Sequence, residues 1–421
     1  MRILYLSQYF PPEMGAPSAR VSELAIRWAR AGHEVCVLTG FPSHPTGVVP
    51  PEYRGRIRAL ERYRGVDVVR SYVYATPNRG VVKRALSFLS FALSSVTIGA
   101  AARPARNVDV VIATSPQFFC AVAGWFISRV KRVPFVLEIR DLWPECIVEL
   151  GVLRDGSAIH RILRRIELFL YRSATLLVSV TDSYPETWVR QGIDPAKMRV
   201  VKNGVDLASF QPGERENAVR KDLGLEGSFV VSYVGTHGMS QGLTTLLEAA
   251  EEFRDDSRVH FLFVGEGAEK DELMREARSR RLERVIFLPQ QPRERIPQII
   301  AASDLVAVIL RDRDLFTRVI PSKIFEIMGC ARPILLGVAG EAERLVRESG
   351  CGYIGRPEDA ASLVEQIRLA RERPDEAERR GRAGRDYVIR NFDRDRLAER
   401  YAEYLARIVP SAARELPESA S

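Results

Sequence analysis

The sequence predicts an α/β protein of parallel sheets arranged in two domains. Three observations carry this. Short apolar runs alternate with amphipathic helices through most of the chain. The 421 residues are too many for one compact core. The alternation restarts after Asp206–Glu214, where Pro212 and Gly213 stand among polar residues as in a linker.

Taken in order, the first half is expected to form strands at Ile3–Ser7, Glu34–Leu38, Val66–Tyr72, Val110–Ala113, Phe135–Ile139, Leu176–Val180 and Arg199–Val201. The second half gives Val230–Val234, Val259–Val264, Val285–Leu288, Leu305–Leu310 and Ile334–Val338. The first helix is clear from Val21, Leu24, Ala25 and Trp28 at helical spacing, closed by Gly32. Two helices are expected over about residues 374–391 and 393–409, then a frayed polar tail over 411–421. Ala85–Ala102 carries no charge and is just long enough to raise a membrane span. Its Ser87, Ser90, Ser94 and Thr97 follow one side, with Leu86, Leu89, Leu93 and Val96 along an adjacent stripe, so a packed helix is expected instead. In Ile159–Tyr171, apolar residues alternate with Arg161, Arg164 and Arg165; such a helix either packs on a core or lies on anionic membrane.

Composition narrows the class. With 46% hydrophobic and 28% charged residues the chain is globular. Five scattered cysteines without a C-x-x-C pair argue for a reducing compartment and against a disulfide framework or zinc site. The N-terminus opens on a strand, with no signal-peptide pattern. Residues 1–205 hold 28 Lys and Arg against 16 Asp and Glu, a net +12, while the remainder is net −4. A basic half suits an anionic partner, although a solvated face has the same composition.

The most informative stretch is Ile320–Pro333. Pro321 suits a first helical turn, Ser322 and Lys323 stand where free backbone N–H groups favour phosphate, and Glu326 follows about one turn later. An acid that reads a hydroxyl beside a phosphate socket suggests a nucleotide-sugar site; an ordinary βα unit with a surface Glu gives the same pattern. The turn Gly235-Thr-His237-Gly238-Met-Ser-Gln241-Gly242 suggests backbone laid against phosphates. Gly15 precedes the first helix alone, without G-x-G-x-x-G, which disfavours an NAD-type site. Glu138-Ile-Arg140-Asp141-Leu-Trp143-Pro-Glu145 lies at a strand's C-terminal end, and its ionisable cluster reads as a functional loop with Asp141 as the reactive-site carboxylate. Two D-x-D triplets, Asp312-Arg-Asp314 and Asp393-Arg-Asp395, each flank an Arg that opposes a cation, so metal binding is not expected. There is no G-x-S-x-G, and of five dispersed histidines only His237 and His44 fall in loops on the ligand side.

Together these features resemble the family 4 glycosyltransferases over nearly the whole chain. The likeness runs through Pro11-Pro-Glu-Met-Gly15, Ala31–Thr39, Val201-Lys-Asn-Gly-Val-Asp206, Phe210 and Pro212, Gly265-Glu-Gly267 and Pro321–Pro333. Arg140–Pro144 and Gly235–Gly242 look like a bacterial branch building O-antigen, capsule and exopolysaccharide repeats, including transferases for amino-deoxy sugars such as N-acetylfucosamine. The resemblance implies a retaining enzyme of the GT-B fold, two Rossmann-like domains facing a cleft: an acceptor domain over 1–205 and a nucleotide-sugar domain over 206–385. A helix over 386–410 is expected to return to the first domain. It implies a donor site of Gly15, Gly235, His237, Gln241, Arg318, Ser322, Lys323 and Glu326, with an acceptor side at Arg20, Arg140 and Trp143. Asp141 and Lys323 are the catalytic candidates. It implies no cofactor and no metal. The expected partners are a nucleoside-diphosphate sugar, a polyprenyl-diphosphate-linked glycan and an anionic membrane surface, not nucleic acid. The expected location is the cytoplasm, peripheral at the inner face of the cytoplasmic membrane.

Two departures from the family stand out. The first acid of its paired-glutamate motif, eight residues before Glu326, is Arg318 here. The basic pair that usually follows the second domain's first strand is replaced by Thr236 or His237 and Gln241, so Lys323 must supply more of the charge that meets the phosphates. A nucleotide-sugar epimerase of the same fold and a non-catalytic nucleotide-sugar-binding protein are the alternatives. Dependence on an acceptor, or turnover at all, separates them from a transferase.

Overall fold

The structure is a computed structural model and describes residues 1–13, 15–44, 46–76, 81–115, 118–149 and 151–410. It divides into two compact units, Met1–Lys202 with the chain from Asp395 onward, and Asn203–Arg394. The tail over 411–421 lies outside the described residues.

The first unit runs β1 (Arg2–Leu6), α1 (Ala16–Arg30), β2 (Glu34–Gly40), β3 (Arg58–Tyr63), β4 (Val66–Ser71), α2 (Val81–Ser94), α3 (Arg103–Arg106) and β5 (Val110–Thr114). It continues with α4 (Phe118–Lys131), β6 (Phe135–Ile139), α5 (Glu145–Glu149), α6 (Ala158–Ser173), β7 (Leu176–Ser179), α7 (Ser183–Arg190) and β8 (Met198–Val200). The strands lie in the order β3-β4-β2-β1-β5-β6-β7-β8, parallel except for β3. Ile3 to Leu6 are all fully buried, because β1 is central and both faces of the sheet are covered. The chain order reverses between β1 and β5, a switch point where open α/β sheets bind ligands beyond the strand ends.

The second unit contains α8 (Ala218–Leu223), β9 (Phe229–Val234), α9 (Thr244–Glu251), β10 (Val259–Val264), α10 (Lys270–Ser279), β11 (Val285–Leu288), α11 (Ile296–Ala301) and β12 (Leu305–Ile309). Next come α12 (Lys323–Gly329), β13 (Ile334–Gly337), α13 (Glu341–Ser349), β14 (Gly352–Ile354), α14 (Ala360–Glu372) and α15 (Pro374–Asn391). Its sheet is wholly parallel, in the order β11-β10-β9-β12-β13-β14, with the switch point between β9 and β12.

The last helix, α16 (Arg394–Ile408), belongs from Asp395 to the first unit. There Trp28 donates its indole N–H to the Ala398 carbonyl at 2.8 Å and meets Tyr401 edge-on at 5.2 Å. Residues 386–394, expected with this helix, lie in the second unit, and the first division falls at 202/203 rather than 205/206. Two strands have no counterpart in the sequence reading. β3 carries Arg58, Glu61 and Arg62 as a hairpin edge strand, and β14 has three residues. The Ala85–Ala102 segment forms most of α2 and a π-helical turn, Ser95–Gly99. Among the described residues no helix is long and apolar enough to cross a membrane.

Candidate active site

In the second unit the site residues gather at the C-terminal ends of β9 and β12. β9 ends in Val234, and Gly235 follows at φ +147°, a conformation that L side chains rarely adopt. The Lys323 ammonium lies 3.7 Å from the centre of the Tyr233 ring. A Cβ on Gly235 would stand 2.6 Å from that Nζ, so the glycine gives the lysine its place. Burial pulls the Lys323 ammonium down to about 7, against a smaller opposing pull from Glu326. Glu326 follows one turn along α12. Burial raises its carboxyl, while the Arg293 guanidinium at 3.7 Å, itself over the Phe210 ring, and Lys323 oppose the rise. Ser322 caps α12 without a side-chain hydrogen bond to it, and Pro321 lies just outside the helix, not in its first turn.

The glycine turn is braced from behind. His237 is fully buried beside Tyr233, Phe263 and Phe287, and neither ring nitrogen has a hydrogen-bond partner. Burial, with help from Lys270 and Lys323, pulls it down to about 4, so its ring is neutral at physiological pH. Its backbone N–H donates to Glu266, and its carbonyl accepts from Glu269. Gln241 accepts the Gly238 N–H at 3.1 Å and so closes the turn on itself. Arg311 holds the turn's far side through the Met239 and Ser240 carbonyls and pairs with Glu269. Arg318 ends the short 3-10 turn Asp314–Arg318 and is half-buried.

In the first unit Gly15 caps α1 at φ +122°. Arg140, 8% exposed, donates Nε–H to the Ser115 carbonyl and has a buried Nη2 without a partner. Asp141 is half-buried; burial raises its carboxyl and Arg140 opposes this. The Trp143 ring lies 4.6 Å from that of Phe118. Arg20, expected on the acceptor side, is buried in an ion pair with Glu138 at 2.9 Å, and also donates to the Val201 and Lys202 carbonyls. Glu138 further accepts from Tyr5 and Thr114. Burial would raise its carboxyl, but the Arg20 charge and hydrogen bonds hold it below the ordinary range. Glu138 and Arg20 therefore act as a core anchor of α1 and β6, which corrects the reading of Glu138 as part of a functional-loop cluster and of Arg20 as an acceptor-side residue.

The family model for Glycosyl transferases group 1 matches residues 215–387, and that for the Glycosyl transferase 4-like domain matches residues 15–204. The D-inositol 3-phosphate glycosyltransferase of Rhodococcus erythropolis (strain PR4 / NBRC 100887) is 31% identical over 86% of this chain and 80% of its own length. The chain belongs to the family 4 glycosyltransferases. It is also similar, at 25% identity over 95% of this chain and 98% of the relative, to a protein assigned by name to colanic acid biosynthesis, the glycosyl transferase WcaI of Escherichia coli (strain K12). Anabaena Alr3699/HepE, solved in complex with UDP and glucose, superposes with a TM-score of 0.72, covering 96% of this chain and 99% of its own at 21% identity. The glycosyltransferase has the GT-B class of fold, with two parallel-sheet α/β units.

The structure thus brings Gly235, His237, Gln241, Ser322, Lys323 and Glu326 to one sheet edge of this glycosyltransferase. It places Gly15, Arg140, Asp141 and Trp143 at the strand ends and loops of the other unit. Tyr233, Arg293 and Arg311 escaped the sequence reading. Tyr233 looked like one more apolar strand residue, and Arg293 lay in a loop without a motif. The one available signal was their position, just inside or just beyond a strand's C-terminal end.

Proposed function

We propose that this glycosyltransferase transfers a sugar from a UDP-linked donor held by the second unit to a polyprenyl-diphosphate-linked glycan presented by the first, in bacterial surface-polysaccharide synthesis. The observation that carries the reading is Lys323, lodged against Gly235 and Tyr233 and one helical turn from Glu326. An ammonium suits a diphosphate, and a carboxylate one turn away suits the hydroxyls of a ribose. The solved relative with UDP and glucose supports a UDP-linked donor, and the colanic acid name of WcaI supports the polysaccharide setting. The resemblance to the amino-deoxy-sugar branch makes an N-acetylated amino-deoxy hexose the first sugar to test.

Chemistry follows from the groups present. As the bond from sugar C1 to the β-phosphate oxygen breaks, negative charge grows on the diphosphate, and Lys323 stabilises it there. The acceptor oxygen bonds to C1 on the same face, and its proton passes to the departing phosphate oxygen, so configuration is retained. Asp141 serves the acceptor side, with Arg140 and Trp143 positioning the acceptor; a covalent glycosyl-enzyme through Asp141 is the less favoured route. The enzyme works in the cytoplasm, peripheral to the inner face of the membrane, where its basic half meets anionic lipid.

Calorimetry with UDP, GDP and ADP, then a panel of UDP-sugars with lipid-linked acceptors, tests this. UDP binding and acceptor-dependent transfer are expected. Absence of affinity for every nucleoside diphosphate, or unchanged binding by Glu326→Ala, would refute it.

A further inference from the structure

Helix α2 buries Phe91 and Ala92 but leaves a second apolar ridge in water. Its hydroxyls face the body of the first unit: Ser87 accepts from Gln8, Ser90 accepts the Tyr74 N–H, and Ser94 donates to the Tyr72 carbonyl. Its apolar ridge faces solvent. Val82, Leu86, Leu89 and Leu93 recur at helical spacing and are 41% to 73% exposed. The exposure extends along the neighbouring helices. α2 packs on α4, which exposes Phe126 and Val130, and α4 packs on α6, which exposes Ile159, Ile162 and Phe169. Trp125 of α4 and Phe169 of α6 meet edge-on at 5.0 Å. Among the described residues, all the large exposed apolar side chains except Met239 and Ile389 belong to the first unit. Monomeric proteins rarely leave such patches to water.

The exposed charge on these helices is of one sign. Lys83 and Arg84 stand exposed in the first turns of α2, Arg129 near the end of α4, and Arg161 and Arg165 on α6. Between residues 68 and 137 the only acid is Asp109, which is bonded to Arg2. The one acid of α6, Glu167, is buried against Arg164 and Tyr171.

We infer that α2, α4 and α6 form the docking face of the first unit for an anionic bilayer, with the Val82–Leu93 ridge seated among acyl chains and the cationic side chains at the headgroups. This deepens the membrane contact proposed above and rests on that reading. An apolar ridge rimmed by cations matches the interfacial mode of helix binding, in which buried apolar area and attraction to anionic lipid act together. A second copy of the chain fits less well, because a two-fold contact through this face would set the same cations against each other, and α2 and α4 carry no acid to meet them.

The test is co-sedimentation of the full chain with vesicles of phosphatidylcholine alone and with about 30% phosphatidylglycerol, an anionic fraction chosen to mimic a charged leaflet. The wild type is expected to bind the anionic vesicles, more weakly at high salt, and to leave the neutral ones largely free. Leu86→Gln with Leu93→Gln is expected to lower partitioning by about tenfold or more. Its melting temperature and UDP affinity are expected to stay unchanged, since the ridge is exposed and the nucleotide residues are in the other unit. Lys83→Gln with Arg84→Gln is expected to weaken binding and flatten its salt dependence. Failure of the wild type to bind anionic vesicles, or equal binding by the leucine variant, would overturn the inference. So would a concentration-dependent dimer that the leucine variant abolishes while vesicle binding is absent. Transfer to a short-chain, detergent-soluble acceptor is measured in parallel: its loss with vesicle binding intact counts against the proposed reaction and leaves the docking face standing.

Discussion

Donor binding should take up a proton, and Lys323 should be its destination. In the free protein, burial holds the Lys323 ammonium at about 7, well below its ordinary 10.5. A bound diphosphate places at least two negative charges beside it and restores the charged form. The sign follows directly. Above pH 7 the free lysine is mostly neutral, the bound one charged, and affinity falls as pH rises. At pH 8 about nine-tenths of a proton enters per nucleotide, and between pH 7 and pH 9 the apparent Kd rises about 50-fold. The terminal phosphate of UDP titrates near 6, below this window. His237, neutral above about 4, and Tyr233, pushed far above its ordinary range, stay silent within it. The assay is calorimetry of UDP at pH 8 in buffers of different ionisation enthalpy, where the slope of heat against ionisation enthalpy counts protons. Lys323→Gln should bind more weakly and show a slope near zero. A zero slope in the wild type, or an unchanged slope in Lys323→Gln, would refute the argument.

Gly235→Ala should raise the UDP Kd about tenfold or more without abolishing folding, because its Cβ would displace the ammonium 2.6 Å away and its φ of +147° strains any L residue; calorimetry and thermal unfolding read the two effects. Glu326→Ala should weaken UDP by about 10- to 100-fold while binding of inorganic pyrophosphate, which lacks a ribose, changes little. Arg20→Ala should cost about 3–5 kcal/mol in urea unfolding, since it strands the buried Glu138 carboxylate. Because Glu138 titrates below its ordinary 4.5, its contribution is present above that pH and lost as pH falls through its lower folded value, so wild type and Glu138→Gln should converge in stability in strong acid.

Legibility differed with the kind of signal. The buried parallel strands read directly, since a strand covered on both faces is a continuous apolar run, as in Ile3–Leu6 or Leu305–Ile309. β3 did not, because an edge strand pairs through its backbone while Arg58, Glu61 and Arg62 stay at the surface. The glycine turn and Lys323 were legible as residue types at strand ends. Their juxtaposition was not, because it depends on β9 and β12 being neighbours across the switch point. Arg20 and Glu138 misled for the opposite reason: charged residues 118 positions apart are costly to bury singly, and the sequence does not show that they meet in the core. The two stripes of α2 were visible, but nothing in their spacing says which one faces water.

The family pattern that the sequence resembles has a basic pair in the turn after the first strand of the second unit. Here that turn has a neutral buried histidine and a glutamine that hydrogen-bonds to the turn itself. Burial makes the Lys323 charge costly to keep, which outweighs the favourable Tyr233 ring face and the Glu326 carboxylate and pulls its titration down. The arrangement therefore holds a cation that is incomplete until an anion arrives. Fixed arginines would hold a diphosphate with no dependence on pH over the whole neutral range. A lysine that must take up a proton to bind ties donor affinity to pH, and once charged it stabilises the negative charge growing on the leaving phosphate as any fixed cation would. Lys323→Arg separates the two regimes: a permanent cation there should tighten UDP at pH 9 and lower kcat through slower product release, and a variant with both constants unchanged would show that the titration has no part in turnover.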